Sequence, residues 1–350
     1  LCVKSGECAG ADKSLEQISS YQRGTLGSLA PSETKASIEV LYNQMEIFKF
    51  LIYFYMILAL ASLALGFYRI FFGRKFRFER ALSLAFFTAF AVHALNLALR
   101  AYISGHAPWS DAYESLVYIS LISVLAGVLF FKHQSFALGA ASLFASVSLL
   151  VAHLNFINPQ ITNLVPVLKS FWLSVHVSVI TASYGFLGFG FVLGLVGLIL
   201  MALKNDKNEQ KLSEQIRYLA ATDELSLIIG LSLLTIGNFL GGVWANESWG
   251  RYWGWDSKES WSYITIIVYA IVLHLRFIPK LRGVFAFLTA SVLSFASVLF
   301  TYFGVNFYLS GLHSYANGES FGVSGLIYLI LAALALLIAL AYRGRDIKVV

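Results

Sequence analysis

Residues 172–203 read WLSVHVSVITASYGFLGFGFVLGLVGLILMAL, a run of 32 positions without an Asp, Glu, Lys or Arg. A helix of that length is ~48 Å long, well beyond the ~30 Å hydrocarbon core of a bilayer. The rest of the chain has the same character. Of its 350 residues, 58% are hydrophobic and 13% charged, against roughly 45–50% and 25% in ordinary globular proteins. Mean hydropathy is +0.72, and too little polar surface remains to cover a soluble fold of this size. A soluble enzyme, a disordered chain and a free nucleic-acid binder are excluded. The pattern predicts an all-α, polytopic helical membrane protein.

Outward from that run, the apolar stretches place about nine spans, near 47–67, 81–99, 113–131, 136–154, 172–203, 223–241, 261–277, 283–303 and 322–342. Residues 1–46 form a polar segment ahead of a transmembrane domain at 47–350. Most of the 25 Lys and Arg fall in four clusters, at 69–80, 204–217, 276–282 and 343–348, all between spans on the same side or beyond the last one. The positive-inside rule makes that side cytoplasmic, with the N-terminus outside and the C-terminus inside. Segments 100–112, 155–171, 242–260 and 304–321 then face outward, and the charged stretch 204–222 reads as a solvated inner connector. Gly185, Gly188, Gly190, Gly194 and Gly197 give small-residue spacing for close helix contact. Cys2 and Cys8 lie too far apart for a C-x-x-C-H haem-attachment motif, and stand as one disulfide or two free thiols. The start at Leu1, with no signal peptide, suggests part of a longer polypeptide or a processed product.

Five of the seven tryptophans fall in one outer stretch: Trp244, Trp249, Trp253, Trp255 and Trp261. An interfacial belt accounts for one or two indoles per helix end. Five together point to a flat aromatic platform for a large planar apolar ligand, with Arg251 and Lys258 placed to meet acidic substituents. Asp256-x-x-Glu259, just ahead of an apolar run, has the spacing of a helix cap rather than of an acid–base pair.

The string Trp249-Gly250-Arg251-Tyr252-Trp253-Gly254-Trp255-Asp256-Ser257-Lys258-Glu259 resembles the WWD signature of the haem-handling superfamily. Within it, the chain is similar to the CcsA (ResC) proteins of system II cytochrome c biogenesis, or to the CcsA half of a fused CcsBA. The likeness runs from about residue 81 to 342. It includes Asn158-Pro159, Leu164-Val165-Pro166, the run from Trp172 through His176 to Ser183-Tyr184, and Gly311-Leu312-His313-Ser314-Tyr315.

The histidines fit that likeness. His176 lies 27 residues from the inner end of its long span, at or above the outer boundary, and His313 lies in the last outer loop. The two are placed to clamp one iron over the tryptophan loop at about 242–261, and neutral imidazole is a natural axial haem ligand. His274 lies 13 residues below Trp261 on one helix, ~20 Å deeper. His93, His106 and His153 read as structural, and His133 as an inner-loop residue. The resemblance implies that His176 and His313 ligate an external haem and that His274 ligates an internal one. It also implies that the second internal ligand comes from a CcsB/ResB-like partner or fused N-terminal half. Trp249, Trp253, Trp255, Arg251, Asp256 and Lys258 complete the expected binding set.

The implied function is export of haem b across the cytoplasmic (inner) membrane. On the periplasmic face it would be presented for thioether attachment to the C-x-x-C-H motif of apocytochrome c, a cytochrome c synthase of the haem lyase type. Two other readings compete. A b-type haem electron carrier requires facing His pairs on bundled helices, and a polyprenyl-linked glycosyl or lipid transferase also carries Trp and acidic residues in its outer loops.

Overall fold

The computed structural model describes residues 9–27, 30–73, 79–130, 135–154, 157–162, 164, 169–309, 311 and 325–347. Among these every regular element is a helix, with no strand. It divides into two compact units, Leu1–Glu46 and Ile47–Val350. The first unit carries α1 (Ala9–Leu26) and α2 (Glu33–Met45). Ser32 caps α2 by accepting from the Lys35 N–H, and Arg23 pairs with Glu33 at 2.7 Å.

The second unit contains α3 (Ile47–Phe72), α4 (Glu79–Ser104), α5 (Ala112–Leu129), α6 (Ser135–Ala152), α7 (Phe171–Ala202), α8 (Glu209–Trp249), α9 (Ser257–His274) and α10 (Val284–Leu299). A π-helical turn at Phe300–Gly304 leads into the short α11 (Val305–Tyr308), and α12 (Gly325–Ala341) closes the unit. Nine helices among the described residues are long and apolar enough to cross a membrane. The count and order of the expected spans hold.

α7 is the hub, and its glycines make it so. Gly185 lies against Ile122 of α5, Gly188 against Phe144 of α6, Gly190 against Leu227 of α8, and Gly194 and Gly197 against Val292 and Leu288 of α10. None of these sites has room for a Cβ without something moving. Between helices in lipid no hydrophobic drive pulls the surfaces together, so close backbone approach and dense contact must do it. Gly188→Val should therefore overpack the α6–α7 contact through Phe144 and cost about 1–3 kcal/mol, measured as a lowered unfolding temperature in detergent.

One reading is corrected. The stretch 204–222 is not a solvated connector, because α8 begins at Glu209 and runs unbroken for 41 residues. Leu212, Ile216 and Leu219 recur at helical spacing and are fully buried, while the charged residues take the opposite face. Charge density masked an amphipathic period.

Candidate functional site

The tryptophan-rich stretch folds as helix, loop, helix. α8 ends at Gly250, which caps it in the left-handed conformation at φ +72°, and α9 starts from Asp256. The loop is thus 250–256 rather than 242–261: residues 242–249 are the last turns of α8, and 257–261 the first of α9. Gly250 supplies the stop and Asp256 the start.

The five indoles accordingly occupy three places and do not form one flat platform. Trp244 is buried within α8 and meets Trp249 edge-on at 4.8 Å. Trp261 packs on Phe300 at 4.0 Å. Trp253 and Trp255 stand on the loop, perpendicular at 5.6 Å, with Tyr263 6.5 Å from Trp253.

Trp255 combines two unusual properties. Its φ is +55°, and 72% of it is exposed. A bulky side chain in the left-handed region costs on the order of 1–3 kcal/mol and persists only where its surroundings impose it. The imposing group is Glu259. One of its carboxylate oxygens accepts from the N–H of Gly254 at 2.8 Å and from that of Asp256 at 3.2 Å, gripping the backbone on both sides of Trp255. The Asp256–Glu259 capping box expected from the spacing is present. Arg251 folds its guanidinium over Gly254, where any larger residue would collide with it. The Lys258 ammonium donates to Asn306 Oδ1 at 3.0 Å. Gly311 packs against the Asp256 carboxylate, two residues before His313 in the sequence.

His176, in the second turn of α7, is seated in a socket on α8. Its Nδ1 donates to the Gly237 carbonyl at 2.7 Å, its ring lies parallel to Trp244 with centroids 6.5 Å apart, and Gly241 leaves the room it fills. Because a carbonyl only accepts, Nδ1 carries the hydrogen, and the neutral ring has its lone pair on Nε2. Fixing one ring nitrogen on a carbonyl is how a metal-binding imidazole is oriented. The next glycine, Gly242, faces the backbone carbonyl of Tyr252. Two successive glycines thus bring the histidine and the tryptophan loop together. The N-terminal end of α7 is tied down twice more, by Trp109 Nε1 donating to the Ser174 carbonyl at 2.9 Å and by Ser170 Oγ donating to Glu247 at 2.9 Å.

His274 closes α9 at its far end. It is exposed, with Nδ1 donating to the Ala270 carbonyl at 2.7 Å, so its neutral form also presents Nε2. The 18 residues of α9 put it ~27 Å from the loop. His313 and His133 lie outside the described residues, as do Val165, Pro166, Cys2 and Cys8. His93 meets Tyr55 Oη through Nδ1 and the Val117 carbonyl through Nε2. His106 meets the Ala107 and Thr162 carbonyls, and His153 that of Leu149.

Beside the site lies a polar clasp that sequence reading did not single out. Arg100, buried, donates from Nε to Glu114 at 2.8 Å and to the carbonyls of Pro159 at 2.9 Å and Gln160 at 3.3 Å. Glu114 in turn accepts from the Ser110 N–H at 3.0 Å, fixing the turn that carries Trp109. Asp111, which caps α5, has its carboxyl pushed up to about 6, first by burial and then by the Glu114 charge. Gly237 and Gly241, one helical turn apart, were the available signal for the histidine socket. The clasp had none beyond an Arg and a Glu at the ends of apolar runs.

Comparison with known proteins places the chain among cytochrome c assembly proteins. A family model described as Cytochrome C assembly protein matches residues 109–313, which include the loop, His176, His274 and His313. Protein NrfI of Wolinella succinogenes is 52% identical over 309 residues, covering 88% of this chain and 34% of NrfI. The chain therefore spans about a third of that relative's length. Cytochrome c biogenesis protein CcsA of Prochlorococcus marinus subsp. pastoris is 35% identical over 260 residues, 67% of this chain and 82% of that protein. CcsA of Cyanophora paradoxa is 33% identical over 325 residues, 80% and 98% respectively.

Proposed function

Because this multi-pass membrane chain belongs to the cytochrome c assembly protein family, we propose that it moves haem b outward through the bundle and presents it at the tryptophan loop for attachment to apocytochrome c. The observation that carries the reading is the pairing of two features across Gly241 and Gly242. One is an imidazole whose Nε2 lone pair is set by the Gly237 carbonyl; the other is a strained loop that holds the Trp255 indole out in the open.

In this reading His176 and His313 would hold the iron of the outer haem, and His274 would give one ligand to an inner one. A CcsB/ResB-like partner, separate or fused, supplies the other. The loop lies on the periplasmic face of the cytoplasmic membrane. Trp253 and Trp255 give the macrocycle an apolar edge and face to lie against. Arg251, whose guanidinium lies over Gly254 between the two indoles in sequence, is the cation for a propionate, while Lys258 and Asp256 hold the loop to α9. An apocytochrome docks with its C-x-x-C-H segment over the loop. Each cysteine thiol adds across one vinyl group: a sulfur–carbon bond forms, the thiol hydrogen passes to the neighbouring carbon, and no outside oxidant or reductant is consumed. The chain's contribution is orientation, worth up to ~7–11 kcal/mol when thiol and vinyl are held in near-attack geometry.

The test is the visible spectrum of purified protein with and without the loop indoles. Trp253→Ala with Trp255→Ala should reduce retained haem several-fold and cytochrome c assembly with it. The fold should survive, because Trp255 is largely exposed and the substitution at 255 shrinks a strained side chain. Full haem content and full assembly in the double variant would refute the role of the loop.

A further inference from the structure

At the end of α9 opposite the tryptophan loop, the third to fifth turns of α8, the end of α9 and the start of α10 line an open groove of about 240 Å³. That is less than the ~300–1,000 Å³ of sites that enclose a whole small molecule, and it suits a headgroup whose remainder lies outside. Its rim carries Arg217, Arg276 and Arg282 against a single acid, Glu224. Glu224 is engaged with Arg276 at 2.7 Å, and Arg282 has no hydrogen-bond or ion-pair partner among the described residues. The walls are apolar: Ala221, Val272, Val284 and Phe287, all from spanning helices. Cationic rim and hydrocarbon wall meet where the spans end, ~27 Å along α9 from the loop and hence at the other membrane boundary.

We propose that this groove is a binding site for the headgroup of an anionic phospholipid. Guanidinium forks match phosphate oxygens in geometry and charge, and basic pockets between spanning helices are suited to acidic lipid heads. Glycerol and the first acyl carbons lie along the wall of Val272, Val284 and Phe287. A free phosphate would gain nothing from that wall, which is why a lipid is the fitting occupant. The Arg276–Glu224 pair sets the affinity, since the carboxylate competes with the incoming phosphate for one guanidinium. The inference stands whether or not the chain handles haem.

The test uses the whole protein purified in detergent and titrated with phosphatidylglycerol or phosphatidylcholine, with bound lipid read by native mass spectrometry. Phosphatidylglycerol should bind on the order of 10-fold more tightly. Arg276→Gln with Arg282→Gln should bring the preference to within about two-fold. Glu224→Gln should raise phosphatidylglycerol affinity several-fold, a gain that a misfolded variant would not show. Equal binding of the two lipids by the unaltered protein would overturn the proposal. So would a preference that survives in the double variant, or displacement of the lipid by inorganic phosphate at equal concentration.

Discussion

Protein carrying His176→Gly is expected to purify folded but with haem retention reduced more than 10-fold, and to regain part of it in added imidazole. The size follows from the socket. Removing only an outer partner of a metal-bound histidine commonly costs about 10–100-fold in affinity, and here the ligand itself would go. The fold should tolerate the change, because the ring sits near the N-terminal end of α7, ahead of the buried run from Thr181 to Met201. The cavity left between Gly237, Gly241 and Trp244 has the shape of an imidazole, so the free molecule can enter and donate to the Gly237 carbonyl as the side chain does. A Soret band unchanged in height and position would remove His176 from the iron. A lost band that imidazole cannot restore would reduce the histidine to a structural part.

Arg100→Leu is expected to destabilise the protein by about 3–5 kcal/mol, the usual result of leaving one member of a buried ion pair behind. Glu114 would be left without its guanidinium in a site with 1% side-chain exposure, and the Pro159 and Gln160 carbonyls would lose their donor. The measurement is thermal unfolding in detergent, and the decisive comparison is a double variant. Arg100→Leu with Glu114→Leu should lie closer to the unaltered protein than Arg100→Leu does, because the buried carboxylate goes with its partner and only the part-exposed Asp111 loses a cation. Arg100→Lys should restore only part of the loss, since an ammonium cannot serve a carboxylate and two carbonyls from one plane as the guanidinium does. A single variant within 1 kcal/mol of the original would show that water reaches the pair.

What the sequence discloses and what it hides divide along a physical line. Hydropathy is a sum over neighbours in the chain, so nine spans and the unbroken run at 172–203 can be read directly. Helix punctuation is equally local, and Asp256-x-x-Glu259 announces the start of α9 and its capping box. The connector at 204–222 was misread because seven charged residues concealed the Leu212, Ile216, Leu219 stripe. The tryptophan platform was misread because five indoles close in sequence lie on two helices and a loop, which point them in different directions. Contacts between distant segments left the faintest trace. Nothing near His176 indicates that Gly237 receives its hydrogen, and nothing near Trp109 indicates that its indole reaches the Ser174 carbonyl. The backbone angle of Trp255 is likewise invisible, since Glu259 imposes it from the following helix.

The helix between Asp256 and His274 has no kink-forming proline or glycine along its 18 residues, so it moves as a stiff rod. Pivoted near its middle, a rod ~27 Å long shifts its two ends about 2 Å relative to one another for 5° of tilt. An occupant that favours one inclination at either rim must therefore be felt at the opposite rim, and by thermodynamic reciprocity with the same coupling energy in both directions. Binding at one end of the helix and binding at the other would then be two readings of a single seesaw.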